Sequence, residues 1–396
     1  MGSVATLPAE PSWLTERRRK GASLAQELPL PDPKQKGWEF TDLSGLDLAG
    51  YGPAPGRLSL DAAQASAEGA AVLPLSEAVA SHAELLEGQL GTLVPIEDPF
   101  VARNDAGWDT GVLVHVPPGV RLTAPIRVGA AQEATGTALG WRTLVVLEED
   151  AEAEVWEEYL SPNGNEGVLN SVVELRVGAG STLRYVCKQQ ISEASWIFAT
   201  QRAEVERDGS LDWTALGFGS ARGKVRMETK LAGPGAEARV TGAYAGAGRQ
   251  HLDFDTTQEH AAPNTTSDLA FRGVLAERAT AVWRGMIRVD PGAQGTDAFQ
   301  ESRNLLLSTR AHADAIPGLE IEANDVRCTH AAAVAQIDPD QLFYLRTRGL
   351  SDDTAKSLIV EGFLEALVER LAEGEARESV SVALGRRLGE ILAGTA

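Results

Sequence analysis

The chain has 396 residues, 43% of them apolar, and a formal net charge of −20 from 56 acidic and 36 basic side chains. That balance excludes a nucleic-acid partner, whose phosphates would be repelled, and gives no attraction to anionic membrane surfaces. Two cysteines exclude a disulfide framework and read as a reducing, cytoplasmic setting.

Residues 1–92 read as an N-terminal, mostly helical region. Met1-Gly2-Ser-Val-Ala-Thr6 has the form of a myristoylation signal, although small residues after an initiator are common. The first 30 residues hold no apolar run of signal-peptide length. Nowhere is there a charge-free run of about 18 apolar residues that could span a membrane. A helix is expected from Trp13 to Leu28, stopped by Pro29, Pro31 and Pro33. A second is expected from Leu75 to Leu90, ended by Gly91.

Residues 93–338 change texture. Alternating runs such as Val112–Val116, Thr143–Leu147, Ser171–Val177, Ser210–Leu216 and Ala279–Trp283 are strand signals of period two. Compact turns bound them: Pro117-Pro-Gly119, Glu148-Glu-Asp150, Gly178-Ala-Gly180, Asp208-Gly209, Gly233-Pro-Gly235 and Asp290-Pro-Gly292. The first four gaps between these turns are roughly 30 residues and the last roughly 60. Similar units in such a series predict a mainly β chain with a β-solenoid core. A pair of β-sandwiches is the competing architecture.

Residues 339–396 read as a C-terminal helical domain. A short helix closed by Gly349 is followed by Ser351-Asp-Asp-Thr, a capping serine with an acidic first turn. Leu358, Ile359, Phe363, Leu364, Leu367, Val368 and Leu371 then recur at helical spacing, Gly374 breaks the run, and Val380–Leu392 forms a last helix. Such helices can cap a solenoid end, dock a partner, or do both.

Several common machines are missing. Gly219-Ser-Ala-Arg-Gly223-Lys224-Val225 lacks the spacing and hydroxyl of a phosphate-binding loop, so ATP hydrolysis by this chain alone is not expected. No nucleophile elbow, His-Glu-x-x-His helix or Cys-x-x-Cys pair occurs. His251, Asp253 and Asp255 share one face of a strand, with His260 beyond them; the pattern suits a solvated face or a metal site. Cys187 suits a small buried residue. Cys328 and His330 stand at i and i+2 of the strand-like Glu320-Ile-Glu-Ala-Asn-Asp-Val-Arg-Cys-Thr-His330. Their side chains share a face, roughly 6–7 Å apart along the strand. Either the pair is inert packing, or it is part of a metal or sulfur site. Zinc takes three or four protein ligands, and iron–sulfur clusters are held mostly by several thiolates. In the second case another chain must complete the shell.

The segment from Asn304-Leu-Leu-Leu-Ser308 through Pro317–His330 to Leu342-Phe-Tyr-Leu-Arg-Thr-Arg-Gly349 resembles the SufB/SufD family of iron–sulfur cluster assembly proteins. Ile359-Val-Glu-Gly-Phe363, His260-Ala-Ala-Pro-Asn-Thr-Thr-Ser267, Arg272-Gly-Val-Leu275, Ala293-Gln-Gly-Thr-Asp297 and Trp38-Glu-Phe-Thr-Asp-Leu-Ser44 extend the match over nearly the whole chain. The Asp-Val-x-Cys-x-His form is that of the SufD branch. Where the family has Gly-Ala-Thr after the histidine, this chain has Ala331-Ala-Ala333. Where it often has Asn-x-Asn before the triple leucine, this chain has Glu301-Ser-Arg303-Asn304.

The resemblance implies a right-handed β-helix flanked by helical ends and a non-catalytic scaffold role. It implies pairing with SufB through the β-helices and docking of the SufC ATPase on the C-terminal helices. It also implies a transient iron–sulfur cluster at the SufB interface, near His330 and Cys328. Flavin and a homodimer of the isolated chain are left open. The alternatives are a β-helix carbohydrate-active enzyme and a purely structural partner without metal chemistry.

Overall fold

The computed structural model describes residues 10–394; the Met1–Thr6 segment lies outside them. The described strands are β1 (Gly52–Pro53), β2 (Arg57–Asp61), β3 (Ala71–Pro74), β4 (Thr110–Val116), β5 (Ile126–Ala131) and β6 (Thr137–Leu147). There follow β7 (Glu152–Leu160), β8 (Gly167–Val177), β9 (Thr182–Gln190), β10 (Trp196–Val205), β11 (Ser210–Gly217) and β12 (Arg222–Leu231). The series continues with β13 (Glu237–Gly246), β14 (His251–His260), β15 (Thr266–Leu275), β16 (Thr280–Val289), β17 (Thr296–Leu306), β18 (His312–Ile321) and β19 (Val326–Gln336). The described helices are α1 (Ser12–Glu27), α2 (Ala63–Ala67), α3 (Leu75–Ser81), α4 (Ala83–Gln89), α5 (Pro99–Gly107), α6 (Pro339–Thr347), α7 (Asp352–Val368) and α8 (Glu375–Gly394).

From β4 onward the chain alternates between two sheets, and each strand pairs in parallel with the next but one. His251 of β14 lies beside Thr280 of β16, 29 residues later. Such winding is a β-solenoid of two strands per turn, and it explains the recurring interval between turns. The inward side chains of both sheets form one long core: Leu183, Tyr185 and Cys187 on β9, and Leu211, Trp213 and Ala215 on β11. Aromatic contacts link successive turns, with Tyr185 edge-on to Trp213 at 6.0 Å and Phe254 beside Phe271 at 5.6 Å.

One corner of the solenoid is a ladder of left-handed residues: Asp150, Gly180, Asp208, Gly235, Asn264 and Gly295. The backbone N–H of each donates to a carbonyl of the next turn, from Asp150 N to Ala179 O (2.8 Å) up to Asn264 N to Gln294 O (2.8 Å). The side chains of Asp150, Asp208 and Asn264 occupy the space that a Cβ on Gly180, Gly235 and Gly295 would need. One rung of this ladder, Ala261-Ala-Pro-Asn264, carries neither a glycine nor an acidic residue. It is the turn absent from the sequence-based series, and it accounts for the one long gap.

The two ends of the solenoid differ. At the first, β2 pairs antiparallel with β5 and β3 antiparallel with β4. At the other, β18 and β19 have no further strand beside them among the described residues. α1 and α5 lie on the outer face of the even-numbered sheet. Fully buried Arg142 of β6 bonds Asp105 of α5 and Glu174 of β8 (3.0 Å) there. α7 and α8 pack on the outer face of the odd-numbered sheet, through Leu364, Leu367, Leu384 and Leu388 against Ala243, Ala245, Ala270 and Val274. The helix expected over Leu75–Leu90 is broken at His82, whose ψ is 38. Ser81 Oγ there donates to Glu77 O (3.0 Å) and pairs with His82 Nδ1 (2.9 Å), local bonds that compete with the helix. The last helix starts five residues earlier than its apolar pattern, at Glu375 directly after Gly374.

Candidate functional site

Cys328 and His330 lie on β19, the last strand. Their register neighbours on β17 are Ala298 and Gln300, both buried inside the solenoid. Cys328 and His330 therefore belong to the inward row of the final turn, and Val334 continues that row. On β18 the inward row includes Leu319 and Ile321, in register with buried Ile287 and Val289. Among the described residues no further turn covers these positions, and Leu319 is 37%, Ile321 42% and Val334 43% exposed. The apolar core is left open at this end, and the two candidate residues stand in the opening.

Cys328 is half-buried against the cluster of Ile287, Val289, Ala293 and Ala298, while His330 is exposed. Burial raises the Cys328 thiol pKa, and nearby Asp297 raises it further. Asp297 itself is held by Arg327 in a bidentate pair between β17 and β19, which pulls its carboxyl below the usual range. Among the described residues no group of three or more His, Cys, Asp or Glu side chains is placed to hold a metal ion. The pair shares one strand face, and among the described residues no third ligand of those kinds joins it.

The second polar cluster has a different environment from a solvated strand face. Asp253 is buried and accepts from Lys224 Nζ (2.9 Å) and Thr41 Oγ1 (2.5 Å). Asp255 pairs with Lys224 (3.5 Å) and Arg284 (3.8 Å). The Trp38–Ser44 segment covers this network: Trp38 stacks on Phe100 at 5.5 Å, lies over Lys224 at 5.9 Å, and Glu39 binds Arg284 at 2.7 Å. His260 sits apart on the opposite face of β14, buried, with its ring nitrogens on Thr265 Oγ1 (2.8 Å) and Ser267 Oγ (2.9 Å).

Pattern reading missed the buried carboxyls of Asp105, Glu174 and Glu157; the first two pair with Arg142. Glu157 is enclosed by Trp141 Nε1, Thr143 Oγ1 and Tyr185 OH, and burial pushes its pKa up. The signal was present in Ala153, Val155, Glu157 and Tyr159, an inward row of β7 with one acid in it. Cys187 is buried near it with its thiol pKa raised, mainly by burial.

On the C-terminal helices, Phe343 (68%), Tyr344 (56%) and Leu358 (51%) are exposed. No described helix is long and apolar enough to cross a membrane.

A family model described as the SufBD core domain of SUF-system FeS cluster assembly matches residues 130–363. The iron–sulfur cluster assembly protein SufD of Bacillus subtilis is 28% identical over 94% of this chain and 94% of its own length. SufB of the same organism is 29% identical over 70% of this chain and 60% of its own length. A SufBD family protein of Mycobacterium leprae is 26% identical over 91% of both chains.

Proposed function

Because the chain belongs to the SufBD family of iron–sulfur cluster assembly proteins, we propose that it is a SufD-type, non-catalytic scaffold subunit. In this reading its open solenoid end stacks on a SufB-type chain, and its C-terminal helices dock a SufC-type ATPase, which performs the hydrolysis. Family membership sets aside the carbohydrate-active β-helix.

The observation that carries the reading is the unclosed inward row holding Cys328 and His330. A second solenoid seated there would cover Leu319, Ile321 and Val334 and would bring its own side chains over the pair. Imidazole and thiolate are suitable donors to iron. With two cysteines in the whole chain, the remaining donors to a nascent cluster come from the partner. The cluster is cargo, formed and passed on. Exposed His330 is the principal contributor and half-buried Cys328 the secondary one. Exposed Phe343, Tyr344 and Leu358 support the docking role of α6 and α7.

The test is co-expression with the SufB- and SufC-type proteins of the same cell. His330→Ala leaves the complex intact by size-exclusion chromatography and lowers its iron and acid-labile sulfide; Cys328→Ala has a smaller effect. Unchanged iron and sulfide in His330→Ala would leave the chain as a structural partner only.

A further inference from the structure

The two sheets of the solenoid are covered differently on the outside. α7 and α8 pack on the odd-numbered sheet. On the even-numbered sheet, two irregular segments, residues 35–38 and 94–98, border a groove over β10 and β12. Its volume is about 340 Å³. That size falls within the range of small-molecule sites, roughly 300–1,000 Å³.

The lining is mainly polar, and its charges balance: Lys36, Arg202 and Arg226 against Glu97, Asp98 and Glu228. What fits there depends on which of these groups are free. Arg202 is committed. It donates to Leu93 O (3.2 Å) and Glu259 (3.3 Å), and Glu228 stands 3.6 Å from its Nε. Asp98 is committed as well, since its Oδ1 caps α5 by accepting from Phe100 N (2.8 Å) and Val101 N (3.4 Å).

Arg226 is the under-satisfied group. It stands on the outer side of the core residue Met227, with Thr200 of β10 beside it in register. Its side chain is 26% exposed, and the carboxylate in reach, Asp98 Oδ2, is 3.8 Å away. Among the described residues its guanidinium donates no hydrogen bond, and neither the Thr200 hydroxyl nor the exposed Lys36 ammonium has a partner. A guanidinium carries five N–H donors, and leaving them largely desolvated without acceptors is costly.

The free groups are therefore a guanidinium, an ammonium and a hydroxyl, all of them donors. Gln35 and Glu97, both exposed, can accept from hydroxyl groups. The chain as a whole carries −20, so no general field draws anions to this groove and the local donors alone select one. A guanidinium fork with a nearby ammonium matches a phosphate dianion.

We propose that this groove binds a small phosphorylated polyol, a phosphate monoester with a hydroxyl-bearing body. The phosphate takes the Arg226 fork, Lys36 and the Thr200 hydroxyl, and the body bonds Gln35 and Glu97. The site uses neither the open end nor the C-terminal helices.

Glycerol 3-phosphate is the probe, titrated calorimetrically into the full-length chain at low salt. Saturable binding at one site is expected, weakening as salt is added. Acetate, with one charge and no hydroxyl, should bind at least about tenfold more weakly. Arg226→Gln should lose at least about tenfold in affinity, and Lys36→Gln about threefold. Lys36 is exposed, so its variant keeps the test open if Arg226→Gln fails to fold. Probe at about ten times its dissociation constant should also slow acetylation of Lys36 by acetic anhydride about tenfold, read by mass spectrometry. Exposed Lys34 should react at an unchanged rate as an internal control. Absence of saturable heat would overturn the proposal. So would native affinity in a folded Arg226→Gln or in Lys36→Gln, Lys36 acetylation that the probe does not slow, or acetate binding as tightly as the probe.

Discussion

At His260 burial and charge oppose each other. The ring is enclosed, both nitrogens are engaged by hydroxyls, and burial pulls its pKa from 6.5 down to about 4. The folded state holds this imidazole neutral while the unfolded chain protonates it near 6.5, so unfolding takes up a proton in acid. Its contribution is complete above pH 6.5 and is lost as pH falls toward 4. The loss amounts to about 3 kcal/mol. His260→Gln should be less stable at neutral pH, yet its denaturant midpoint should fall less steeply between pH 7 and 4.5. Parallel slopes for the two proteins would refute this assignment. Residues of this kind were only half legible in the sequence. The alternation of β14 separates His260 from His251, Asp253 and Asp255 by face. Which face is covered depends on the Trp38 segment, more than 200 residues earlier, and no local pattern reports that.

Strands such as β4, β6, β8, β11 and β16 were readable because their inward rows are mostly apolar and each corner needs a turn residue. The missed turn at Ala261–Asn264 has neither glycine nor an acidic residue, and its left-handed residue is asparagine after two alanines and a proline, so the cue was weaker there. The Trp38–Ser44 segment is the opposite case. It has no regular secondary structure, and only family resemblance singled it out. Its anchoring is specific: Trp38 on Phe100 and Phe198, Thr41 on Asp253, Glu39 on Arg284. Trp38→Ala should cost about 3–5 kcal/mol by removing the central aromatic of that contact. It should also loosen the segment's backbone so that trypsin cleaves after the surface residues Lys34 and Lys36 under native conditions. If the variant resists trypsin as well as the native chain does, the segment is held by something other than Trp38.

For the molecule as a whole, the open end decides what the fold can do. The sequence supplied Cys328-Thr-His330 and the ligand count. It could not show that both residues are core positions of a turn with no successor, because that depends on where the winding stops. Ile321→Lys places a charge in the exposed core row without disturbing an interior contact of the isolated chain. Pairing with the SufB-type partner should weaken at least about tenfold, read by titration of the purified chains; an unchanged affinity would move the interface elsewhere. The first end has the opposite character. There β2 and β3 run antiparallel to the solenoid strands and occupy the edges of β5 and β4. A polymer chemist would call such a unit monofunctional: one terminus presents long solenoid strands, and the other carries only a short antiparallel cap. A stack formed at the open end, as proposed, covers the long edges of β18 and β19, while the other end leaves only the short antiparallel edges of β2 and β3, a poor template for further edge-to-edge pairing.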